Sequence, residues 1–136
     1  MTLRERRSHA HLTANVDVMS RAIPESDWKH FRKLREVALE RFCERVLGEI
    51  GRIASNGTTS SHARYLEIFK LTENRDDELA RAFNDSRRST AIFQLAAIYS
   101  LGLLQQDELD GFSSETRETV DALCKSAGGA RRQNSA

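Results

Sequence analysis

Apolar residues along this chain recur at the spacing of one helix face. Trp28, Phe31, Ala38, Phe42, Val46, Ile50 and Ile53 follow one another at intervals of three, four or seven. This predicts a helix from about Pro24 to Ala54. Pro24 suits the first turn, where its missing N–H costs nothing, and Ser26 is an alternative N-cap. At 1.5 Å per residue the rod is roughly 45 Å long. Asn56-Gly57 is expected to supply left-handed conformations in the following loop, which Thr58, Thr59 and Ser60 continue. Tyr65, Ile68, Phe69, Thr72, Leu79 and Phe83 then share one face of a second helix, about Ser61 to Asn84. The short connection folds the two rods into an antiparallel hairpin.

A third helix is expected from about Arg87 to Leu101, capped by Asp85 or Ser86 and stopped by Gly102. Its apolar residues, from Ala91 through Leu101, point almost all round, the pattern of a helix enclosed by others. A short turn over Gln106–Asp110 follows. A last helix, about Ser114 to Ser126, is capped by Ser113 or Ser114 and turns Val120, Leu123 and Cys124 inward. The reading is all-α: a small helical bundle with a long antiparallel hairpin of the first two helices and a central apolar helix. Residues 1–22 read as a mobile basic tail, in which Val16, Val18 and Met19 are candidates for docking. Residues 23–126 read as one helical domain, and 127–136 as a disordered tail.

Composition narrows the class further. Of 136 residues 39% are hydrophobic and 30% charged, enough for one core. One proline and seven glycines are too few for a sandwich of short strands. No apolar run approaches the roughly 20 residues of a membrane span, and the basic N-terminus lacks the apolar stretch of a secretory signal. Two cysteines, Cys43 and Cys124, make neither a disulfide framework nor a zinc ligand set, which suits a reducing cytoplasm. The formal net charge of +1 is uneven. Residues 1–23 carry +2, residues 125–136 carry +3, and the folded part between them is mildly acidic.

Three segments carry a resemblance: Ile23-Pro24-Glu25-Ser26-Asp27-Trp28, Ala38-Leu39-Glu40-Arg41-Phe42-Cys43 and Ser100-Leu101-Gly102-Leu103-Leu104. They resemble a family of small uncharacterised bacterial all-helical proteins over about residues 23–124. The resemblance implies a helical fold and a bacterial source, and brings no activity or functional residue with it.

Most chemistry is excluded by what is missing. Asp27 and His30 lie one turn apart, but no second ligand pair stands out, and no Glu-x-x-His occurs for a di-iron bundle. His9 and His11 lie in the first tail. Aligning Gly111 to the glycine of a calcium loop puts Gln106 at the first ligand position and Arg117 where a bidentate Glu belongs. No G-x-S-x-G or phosphate loop is present. The helix after Gly102 that would have to read DNA, Ser114 to Asp121, has three acids and one base, which argues against specific nucleic-acid binding.

Two constellations stand above this background. Arg35 and Asp76 fall within stripes expected to be buried, at similar levels of the hairpin, and are a candidate buried ion pair. The alternative is that Arg35 snorkels past Trp28 and Phe31 to water while Asp76 sits at the edge of its stripe. Ser86, Arg87, Arg88 and Ser89 gather hydroxyls and guanidinium groups at a helix start, a candidate anion site. The favoured alternative is that both arginines pair with nearby acids such as Asp77 or Asp85.

No catalytic, cofactor-binding or metal residue is assigned. Leu34, Val37 and Leu47 lie off the main stripe of the first helix, and a small bundle cannot cover every side of the central one. A homodimer, or another protein bound through the first and third helices, is therefore expected. The leading function is a non-enzymatic helical interaction or regulatory domain. The alternative is a small-ligand or anion-binding module with an apolar pocket beside the central helix, using Arg35, Asp76 or Tyr99. A hydrolase or metal enzyme comes third.

Overall fold

Pro24, with φ near −55°, accepts the first helical hydrogen bond from Trp28 N–H at 2.9 Å and starts helix α1, Glu25–Ser55. Ser26 lies inside that helix and caps nothing. In this computed structural model, which describes residues 22–135 and side chains as far as Ser126, four more helices follow. They are α2 (Ser61–Phe83), α3 (Ala91–Ser100), α4 (Gln106–Asp110) and α5 (Ser114–Ser135), with a 3₁₀ turn over Arg88–Thr90 before α3. No strand occurs among the described residues. The expected docking of Val16, Val18 and Met19 lies outside them, as does nearly all of the expected N-terminal tail.

The hairpin forms within a residue of its expected bounds, but its turn works differently. Asn56 has φ −74° and Gly57 is not left-handed. The Asn56 side chain organises the loop instead: Oδ1 accepts from Thr58 N–H at 3.2 Å and from Thr58 Oγ1 at 2.6 Å. Ser60 then caps α2, its Oγ accepting from Ala63 N–H at 3.0 Å.

The third α-helix starts at Ala91, with its apolar run, and not at the expected Arg87. Neither Asp85 nor Ser86 caps it. Asp85 adopts φ +59°, and its carbonyl accepts from Thr90 Oγ1 at 2.8 Å, so the chain turns once as a 3₁₀ segment before the α-helix begins. The far end stops as expected. Gly102 takes φ +73°, its N–H donates to Tyr99 O at 3.0 Å, and Leu103 N–H donates to Ile98 O at 3.4 Å, a Schellman closure. Ile98 and Leu103, the side chains that flank this closure, are both fully buried. Helix α5 is capped by Ser113, whose Oγ accepts from Thr116 N–H at 3.4 Å. Its backbone stays helical to Ser135, past the end expected at Ser126 and through Gly128 and Gly129.

The core gathers at one end of the molecule. Phe31, Leu34, Ala38 and Phe42 of α1 meet Ala82 and Phe83 at the end of α2, Ile92, Leu95 and Ile98 of α3, and Val120 of α5. Helix α3 packs most heavily on α5 and also touches α1 and α2. It is not enclosed on every side, because Phe93 is 45% exposed beside Arg81 and Asn84. Between Phe42 and Ala82 no residue is buried. The far part of the hairpin is thus a two-helix arm extending from the core.

Candidate interaction surface

Of the two constellations singled out in the sequence, the Arg35–Asp76 pair is not formed. Arg35 donates through Nη2 to Phe83 O at 2.6 Å, and its guanidinium lies 5.7 Å from the centre of the Phe83 ring. Asp76 is exposed on the arm, and no salt bridge joins the two. The stripe that carries Asp76 also carries Phe69, which is itself exposed, so the carboxylate keeps its water and needs no partner. With Arg35 and Asp76 apart, and Tyr99 packed partly buried against the core, the polar points of the expected pocket do not converge. At the candidate anion site Arg87 Nη2 bonds Asp85 Oδ2 at 2.6 Å. Arg88 donates to Ile23 O at 2.9 Å and to Glu25 Oε2 at 2.7 Å. Ser86 and Ser89 stay exposed. Both guanidinium groups are thus already engaged, as the favoured alternative held. Cys43 and Cys124 are free and half-buried, and burial pushes the Cys124 thiol up, away from a reactive thiolate. Among the described residues no cluster of three or more His, Cys, Asp or Glu is placed to hold a metal.

A polar seam that sequence reasoning missed runs along α1 and fastens the loop of residues 101–113. Asp27 is 2% exposed, and its carboxylate accepts from Ser113 N–H at 2.9 Å, Ser113 Oγ at 2.6 Å and Thr116 Oγ1 at 2.6 Å. One turn on, His30 donates from Nε2 to Glu108 O at 2.8 Å and lies against Phe112 with ring centres 4.5 Å apart. Arg41 holds Glu108 through both guanidinium nitrogens, at 2.6 and 3.1 Å, and also donates to Leu103 O. That pairing draws the Glu108 carboxyl below its ordinary range. Arg45 donates to the carbonyls of Leu101 and Gly102 just beyond α3, where a cation also suits the helix dipole. The sequence signal was Asp27, four residues before Phe31 on the inward face, together with the Ser113-x-x-Thr116 cap. The Asp27–His30 pair proves to be a fastening device.

Gly111 marks how tightly the seam is drawn. A Cβ there would lie 2.5 Å from His30 Nε2, while its own φ of −71° is ordinary. Gly111→Ala is expected to cost about 2 kcal/mol, because the His30 ring must leave both Glu108 O and Phe112. Urea denaturation followed by circular dichroism measures this, and an unchanged midpoint would show that the ring swings aside freely.

The arm presents the opposite chemistry. Phe42, Cys43, Val46 and Leu47 of α1 and Thr72 and Leu79 of α2 line a shallow, mostly apolar groove of about 250 Å³ on one flank of the hairpin, with the charged Arg75 and Asp76 also in its wall. Phe69 and Tyr65 continue that line along α2, three and seven residues before Thr72, and Ile50 continues it three after Leu47. Exposure is high for such residues: Leu47 65%, Tyr65 67%, Phe69 53% and Leu66 41%. Arg75, in the wall of the groove, bridges Glu49 of α1 at 3.0 Å and Glu78 of its own helix at 2.9 Å, so one ion pair ties the two helices together. The expected sticky surface therefore shifts. It lies on the first two helices, with Phe93 of α3 as a separate, smaller exposed spot.

Comparison with known proteins found no matching family model, curated protein or solved structure. Among the described residues no helix is long and apolar enough to cross a membrane.

Proposed function

We propose that this chain is a non-enzymatic helical interaction or regulatory domain that self-associates, acting in a reducing cytoplasm where Cys43 and Cys124 stay as thiols. The uncovered apolar flank of the arm carries this reading. Leu47, Tyr65 and Phe69 there leave on the order of 350 Å² of mostly apolar surface in water, within the range that marks functional patches on a monomer. The two helices of the arm pack along each other and are tied by the Arg75–Glu49 pair, so the flank is presented on a formed hairpin. The polar groups gathered along α1 are spent on structure: Asp27, His30 and Arg41 all bind the loop of residues 101–113, His30 and Arg41 through Glu108.

Sedimentation equilibrium or multi-angle light scattering tests the reading. The expected result is a concentration-dependent rise from the 15.4 kDa chain mass to twice that value. For a Kd near 10 µM, about four-fifths of the chains should be paired by about 100 µM. A constant monomer mass over that range would overturn self-association.

A further inference from the structure

We infer that a second copy of this chain packs on the flank formed by Leu47, Ile50, Tyr65 and Phe69, with the two arms antiparallel, so that four helices close around one shared apolar seam. This rests on the self-association proposed above and adds its site and its direction.

Two observations choose the occupant and the orientation. The first is area. A specific interface buries about 1,200 Å² or more in total. Two copies of Leu47, Tyr65 and Phe69 supply on the order of 700 Å², and Cys43, Ile50, the neighbouring Leu66 and the stems around them bring the pair into that class. Phe93 alone, on its separate spot, does not.

The second is charge. The outer part of the arm, residues 50–66, carries Arg52 and Arg64 and no acid. Its root, residues 36–49 and 67–80, carries nine acids and four bases. Side by side in the same direction, two arms would set tip on tip and root on root, like charge on like. Reversed about a two-fold axis near the level of Ile50 and Leu66, each basic tip meets the acidic root of its partner within a Debye length of about 8–10 Å. One chain thus carries both halves of the match, the condition a two-fold contact needs.

The test uses the full chain carrying Cys43→Ala and Cys124→Ala, which keep both positions apolar, with Gly57→Cys as the single spin-labelling site. Gly57 lies in the exposed turn, where a Cβ meets nothing within 4 Å. Antiparallel arms separate the two tips by about 25–35 Å, from roughly eight residues of helical rise on each side of the axis, and parallel arms bring them below about 20 Å. Double electron–electron resonance reads that distance directly. In parallel, Phe69→Glu and Leu47→Glu, on different helices, are each expected to weaken association at least tenfold. Both positions are more than half exposed, so helical circular dichroism should be unchanged.

A tip-to-tip distance in the longer range, with association lost in both variants, supports the inference. A dimer with short tip distances overturns the orientation. A dimer that survives both variants but dissociates on Phe93→Glu moves the contact to α3 and overturns the site. In these last two cases self-association itself stands. Absence of any dimer in the unmutated chain removes both proposals together.

Discussion

Asp27→Ala is expected to lower the unfolding free energy by about 3 kcal/mol. The carboxylate is buried between α1 and the start of α5 and accepts three hydrogen bonds, one from the Ser113 backbone and two from hydroxyls. Hydrogen bonds to a charged group contribute about 1.5–3 kcal/mol each, and removing the shared acceptor leaves its donors without their partner. Asp27→Asn keeps the shape and one acceptor oxygen, and should lose roughly half as much. Acid dependence is a second readout of the same group. Burial works against the charged form, but the bonds from Ser113 and Thr116 prevail and hold the Asp27 carboxyl below its usual range. A depressed folded-state value means that the contribution is fully present above the unfolded value of about 3.9 and disappears as pH falls through the lower folded one. Stability measured by chemical denaturation between pH 7 and pH 2 should therefore drop more steeply below about pH 4 in the unmutated protein than in Asp27→Ala. Parallel curves would mean that Asp27 titrates alike in both states.

Phe31→Ala is expected to cost more, about 4 kcal/mol. The ring has no solvent exposure and stacks on Trp28 with centres 5.9 Å apart, at the place where α1 crosses the rest of the core. Truncating a buried Phe typically costs 3–5 kcal/mol through lost transfer energy and the cavity left behind. A domain of this size has only about 5–15 kcal/mol in hand, so calorimetry should show a melting temperature many degrees lower. Leu47→Ala on the arm supplies the contrast. With its side chain mostly in water, it should change monomer stability by no more than about 0.5 kcal/mol. Equal losses at the two positions would mean that the arm belongs to the folding core.

The helices were legible because their signal is local. Periodicity and caps placed α1, α2 and α4 within a residue, and Gly102 marked the end of α3 through its need for a positive φ. What failed was the step from stripe to burial. A helical stripe says that one face is apolar and is silent on what covers it. On α2 the stripe from Tyr65 to Phe83 is buried only at its last residues, because the rest of the hairpin runs past the core. Arg35 and Asp76 were matched on the premise that both stripes faced a common interior. Arg35 found a backbone carbonyl at the end of α2, which no side-chain pattern announces. The Asp27 cluster was hidden for a related reason: its partners lie 86 and 89 positions along the chain, and spacing within a helix does not report such distances.

The same long reach bears on the order of events during synthesis. Every fastening made by Asp27, His30, Arg41 and Arg45 spans between 56 and 89 positions. Helices α1 and α2 need only a short turn to meet, but the core at their root is completed by residues of α3 and α5. Until the last third of the chain has been made, the carboxylate of Asp27 lacks the serine that will bond it, which is translated more than eighty residues after it.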